Sequence, residues 1–124
     1  MGFVHDAKKG HMEIKDFIKV ELSKRFNSRL FGAFNKITSA EILKMYFDKY
    51  GKKLKYCDVN KAIKSIKKEG GKFDLLMNSG GYYFANQKEF FAYVRLLNRQ
   101  SKALNELALK YKYINYSKAL RNDN

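Results

Sequence analysis

Asn60, Lys61, Lys64, Ser65, Lys67 and Lys68 carry the clearest chemical capacity in this chain: fixed positive charge and hydrogen-bonding side chains packed into nine residues. Ammonium groups at such spacing suit phosphate oxygens, which position a polyanion without reading its sequence. Asn60, Lys61 and Lys64 are the candidates for base edges, because Asn can pair with adenine and Lys can donate to guanine O6 and N7. Val59, Ala62, Ile63 and Ile66 interleave with them at helical spacing and define an apolar stripe. Gly70-Gly71 then stops the helix. The expected product is a short helix with an apolar back and a basic front, shaped to lie in a polyphosphate groove. An ordinary solvated lysine face is the alternative.

The basic character continues on both sides. From Lys52 to Lys72 there are eight lysines, Lys52, Lys53, Lys55, Lys61, Lys64, Lys67, Lys68 and Lys72, against two acids, Asp58 and Glu69. Tyr56 opens the helix and joins the candidate nucleic-acid-binding residues. Over the whole chain, 26 Lys+Arg face 12 Asp+Glu, a formal charge of +14, which favours polyanionic partners, nucleic acid first. Because Lys, Asn, Phe and Tyr dominate while Pro and Trp are absent, coding bias also feeds this total, and placement of charge weighs more than its sum.

The elements that must hold this helix are legible around it. Ile14, Phe17, Ile18, Leu22 and Phe26 make an amphipathic N-terminal helix. A short strand is expected within Phe34 to Ile37. Thr38-Ser39-Ala40-Glu41 is a capping box. It opens a helix to Tyr50 with Ile42, Leu43, Tyr46 and Phe47 inward, and Gly51 ends that helix. Two helices separated by the few residues Lys52–Lys55 form a helix-turn-helix arrangement. After Gly71, Phe73–Met77 and Tyr82-Tyr83-Phe84 flank Asn78-Ser79-Gly80-Gly81, a β-hairpin pattern. Ser79 and Gly80 at its tip are candidates to offer backbone amides to a phosphate. Tyr82 and Tyr83 alternate faces, so one is expected in the core and the other exposed, free to stack on a base. Asn86 and Glu89 form a second capping box, leading a long helix from Gln87 toward Tyr111. Its seam of Phe90, Val94, Leu97, Ser101, Leu104, Ala108 and Tyr111 is heptad-like. The segment from Arg99 to Tyr113 is the candidate for pairing with a second copy.

The segment from Ile37 to about Tyr111 resembles small winged-helix proteins coded by bacteriophages and prophages. TSAEILKMYFDKYG matches the positioning helix, VNKAIKSIKKEGG the recognition helix, and NSGGYYFANQKEFFAYVRLLNRQSKAL the wing tip, returning strand and closing helix. The family's opening Ser/Thr is replaced by Tyr56-Cys57-Asp58, of which Asp58 can still cap. The resemblance implies a mainly α fold with a small β-hairpin (α+β), a winged helix-turn-helix carrying an added N-terminal helix and a long C-terminal helix. It implies a double-stranded DNA-binding protein that regulates transcription or assists replication or recombination. A host protein, RNA or single-stranded DNA are the alternative partners.

Domain limits follow. Residues 1–12 are expected to be a vector-derived or disordered leader, since Gly10-His11-Met12 resembles a cloning scar. Residues 13–113 form one winged-helix domain, and 114–124 a frayed tail. No run approaches the ~18 apolar residues of a membrane span. No secretory segment is visible, and the single Cys57 cannot form an intrachain disulfide, so the expected compartment is the cytoplasm. Both histidines, His5 and His11, fall in the leader, which removes the usual general base. No P-loop pattern occurs, and Asp16, Glu21, Glu41 and Asp48 read as helix-surface acids. No enzyme activity, metal or cofactor is expected.

Overall fold

A computed structural model of the chain describes residues 12–99 and 114–121. It is mainly helical with one small antiparallel hairpin. Helix α1 (Ile14–Asn27) buries Phe17, Ile18, Leu22 and Phe26 at the expected spacing. The segment from Ile14 to Lys67 is a triangle of helices. Helices α2 (Ser39–Tyr50) and α3 (Tyr56–Lys67) pack on one another, and α1 lies across α3. The Phe17 and Tyr46 rings meet edge to face at 5.3 Å, pinning α1 to α2.

Local chemistry sets the helix ends. The Thr38 hydroxyl accepts from the Glu41 amide at 3.1 Å, and the Glu41 carboxylate accepts from the Thr38 amide at 2.8 Å. Gly51, at φ 70°, closes α2 in the left-handed conformation, donating to the Phe47 carbonyl at 2.7 Å. Of the four residues expected inward on α2, Ile42 and Tyr46 are buried and Leu43 is half-buried. Phe47 is corrected to an exposed position, with 49% of its surface accessible. One residue on from Tyr46, at ~100° per residue, it has rotated off the core-facing stripe.

A 3₁₀ turn over Gly71–Leu75 follows α3 and feeds β1 (Leu76–Asn78), which pairs with β2 (Tyr82–Phe84). The register sets Leu76 opposite Phe84, Met77 opposite Tyr83 and Asn78 opposite Tyr82. The strand expected within 34–37 shrinks to a single bridge. Ile37 and Tyr82 exchange both backbone hydrogen bonds, at 2.9 and 2.8 Å, while Ala33–Asn35 coil into a 3₁₀ turn. Side chains stabilise that turn: Glu89 accepts from the Ala33 amide at 3.0 Å, and the Asn35 amide donates to the Phe31 carbonyl at 2.8 Å. Tyr82 is buried and Tyr83 half-buried, so neither is the freely exposed tyrosine expected at this hairpin.

Helix α4 (Gln87–Arg99) begins at the expected Asn86/Glu89 box, with hydrogen bonds of 2.8 and 2.9 Å. Phe90 and Leu97 are buried and Val94 is half-buried; the rest of the seam lies outside the described residues, as does the leader up to His11. The frayed tail is corrected in part. Helix α5 (Tyr116–Leu120) packs on the Gly71–Leu75 turn, with Tyr116 and Ala119 buried. The Tyr116 hydroxyl donates to the Ala85 carbonyl at 3.0 Å and its ring lies 5.4 Å from that of Phe90. Burial pushes its phenol pKa up. One core unites all these elements, from Ile18 on α1 to Ala119 on α5. Among the described residues no helix is long and apolar enough to cross a membrane.

Candidate functional site

Helix α3 is built as its spacing implies. Val59, Ala62, Ile63 and Ile66 are buried, and the Asp58 carboxylate caps the start by accepting from the Lys55 amide at 2.9 Å. The opposite side carries Cys57, Asn60, Lys61, Lys64 and Lys68, all exposed. At ~100° per residue, Lys61, Lys64 and Lys68 fall within roughly 60° of arc, one stripe of three ammonium groups. Ser65 and Lys67 sit on the two flanks of that stripe, both half-buried.

The other lysines surround it on two sides. Lys52 and Lys61 line an open cleft of about 870 Å³ with Lys15 of α1, floored by Ile14, Leu54 and Ala62. Lys53, Lys55 and Tyr56 line a second, more apolar groove of about 540 Å³ with Ala40, Leu43 and Phe47. Tyr56 is 59% exposed. Between α3, the start of α2 and the hairpin tip lies a third recess, about 360 Å³, bordered by Ser39, Tyr56, Asn60, Gly80 and Tyr82.

Lys72 does not belong to this surface. It is only 3% exposed, and its Nζ lies 5.5 and 5.4 Å from the ring centres of Phe26 and Phe73. The 3₁₀ turn after Gly70 rolls this lysine inward, and its aliphatic stem fills the core. Two further expectations change. The Ser79 amide already donates to the Gly81 carbonyl at 3.0 Å, so it is not a free phosphate donor. The Asn60 side-chain oxygen accepts from the Tyr82 hydroxyl at 2.9 Å, which turns toward the hairpin the acceptor that adenine pairing would use.

Three cations that the sequence left unassigned come to the site. Lys36 reaches the hairpin tip, where its Nζ donates to the Ser79 carbonyl at 3.4 Å. The Ile37–Tyr82 bridge carries it there, and Gly81 permits the approach: a Cβ at that residue would meet the Ile37 carbonyl at 3.1 Å. Lys15 and Lys19 of α1 pair with Glu69 at 3.0 and 2.7 Å. Hydrogen bonds from Lys19, then Lys15, hold the Glu69 carboxyl below the usual range. The acid that follows α3 is thereby neutralised from within the fold. Spacing along the chain carries no signal for these contacts, which join residues 43 to 54 positions apart.

Among the described residues there is no cluster of His, Cys, Asp and Glu able to hold a metal ion, and Cys57 is exposed and unbridged. Comparison with family models, with curated proteins and with solved structures gives no match to this chain.

Proposed function

We propose that this chain is a non-enzymatic double-stranded DNA-binding protein with a winged helix-turn-helix architecture, of the kind that regulates transcription or assists replication or recombination in phages. In this reading α2 is the positioning helix, α3 the recognition helix and the β1–β2 hairpin the wing. The observation that carries it is the exposed stripe of Lys61, Lys64 and Lys68 above a fully apolar back, flanked by Lys52, Lys53 and Lys55. An α-helix with side chains is ~10–12 Å across and the B-DNA major groove ~12 Å wide, so such a helix can enter it. Tyr56, Asn60 and Gly80 border the same side, and Lys36 gives the wing tip the cation its own loop lacks. Fluorescence anisotropy on a random duplex across a salt series tests the proposal. About five phosphate contacts give a log–log slope of roughly −4 to −5. Salt-insensitive binding, or none at low salt, rejects it.

A second reading draws on the groove lined by Phe47 and Tyr56, two large aromatic side chains that are both exposed. There the chain is a docking module for a host protein. A pull-down after nuclease treatment separates the two, since partners that disappear with the nucleic acid count against docking.

A further inference from the structure

We infer that Tyr82 fixes the orientation of the Asn60 amide and so makes Asn60 a reader of acceptor groups, favouring guanine or thymine edges over the two-point pairing with adenine. This rests on the duplex-binding reading and assigns a specificity to one residue of that surface. The Ser39 hydroxyl lies 3.4 Å from the Tyr82 hydroxyl, which lies 2.9 Å from Asn60 Oδ1. These three residues belong to α2, β2 and α3, so the relay ties together the elements that enclose the recess beneath the hairpin tip.

The polarity of the relay decides what Asn60 shows to solvent. A phenolic hydroxyl is a stronger donor than an aliphatic one and a weaker acceptor, because its lone pair is shared with the ring. Tyr82 therefore donates to the amide oxygen and receives from Ser39. Tyr82 itself is 3% exposed and locked by both backbone bonds to Ile37, so its hydroxyl cannot swing away. With its oxygen held inward, exposed Asn60 turns its NH₂ outward. Adenine recognition needs both ends of the amide, an acceptor for N6–H and a donor for N7. Guanine O6 and N7 and thymine O4 need only the donor, whereas adenine offers N7 to it but leaves its N6–H unpaired and so is the weaker partner. Tyr82 is a positioning residue in this scheme, and Asn60 makes the contact.

Selection from a randomised duplex library with the wild type, Asn60→Ala and Tyr82→Phe tests it. The expected wild-type profile contains a step, lost in Asn60→Ala, at which guanine or thymine is preferred over adenine by roughly fivefold. Tyr82→Phe keeps the ring in the core and releases the amide, so adenine rises at that step while affinity for random duplex and its salt slope stay unchanged. A wild-type preference there for adenine or cytosine overturns the inference, as does a profile that neither substitution alters. Absence of salt-dependent duplex binding in the wild type is a different outcome and removes the binding reading itself. Should Tyr82→Phe fail to fold, NMR of the wild-type side-chain amide decides. The Asn60 NH₂ protons should shift when duplex is added, and unmoved, solvent-protected protons contradict the scheme.

Discussion

Lysines of one short stretch divide by what surrounds them. Lys61, Lys64 and Lys68 stand in water, whereas Lys72 lies against Phe26 and Phe73. The same residue type is an electrostatic contact in one place and a packing element in the other. Substitution separates the two roles. Lys64→Ala should leave stability within ~0.5 kcal/mol of the wild type while reducing the steepness of the salt dependence by ~0.9. Lys72→Ala should do the reverse. Loss of its cation–π contacts and buried stem should cost about 1–3 kcal/mol in denaturant unfolding, with the salt slope unaltered. If Lys72→Ala flattened the slope as Lys64→Ala does, its placement in the core would be wrong.

At the level of elements, the caps hold the site's supports. Thr38→Ala removes one arm of the box that starts α2 and should lower stability by ~1 kcal/mol. The box also sets a pH dependence. Hydrogen bonds from the Thr38 backbone and then its hydroxyl hold the Glu41 carboxyl below its ordinary range. A depressed folded pKa means a contribution fully present at neutral pH and lost as pH falls through the folded value, below ~4. Melts of wild type and Glu41→Ala should therefore draw together on acidification from pH 7 to 3, and a constant gap between them would contradict this. Glu69→Gln acts on charge: it releases Lys15 and Lys19, so duplex binding should tighten and its salt slope steepen. Unchanged binding would show that those two ammonium groups face away from any bound polyanion.

The elements also show how much the sequence discloses. Helices α1 to α3, both capping boxes and the hairpin follow from periodicity and turn chemistry, which act within a few residues. So does the outward stripe on α3, because three lysines at helical spacing must share a face whatever the fold around them. The Ile37–Tyr82 bridge, the Lys36 contact with the hairpin tip and the Tyr82–Asn60 hydrogen bond join distant segments, and no local pattern encodes them. The burial of Lys72 was hidden by its charge, which argues for exposure until the 3₁₀ turn is known to roll it inward. Helix α5 was hidden by its five-residue length: Tyr116 and Ala119 alone cannot establish a period.

Across the whole molecule, one core supports α3 from behind with α1 and α2, so the basic face is carried on a rigid element. Cations then come to that face from four separate segments, from Lys15 of α1, from Lys36, from Lys52 to Lys55, and from α3 itself. Salt titration of Lys61→Ala/Lys64→Ala/Lys68→Ala beside the wild type, on one random duplex, asks whether that face meets the polymer. Removal of three phosphate contacts should shrink the log–log slope by roughly 2.7 while leaving the fold intact. An undiminished slope in the folded triple variant would place the polyanion elsewhere on the molecule and contradict the account.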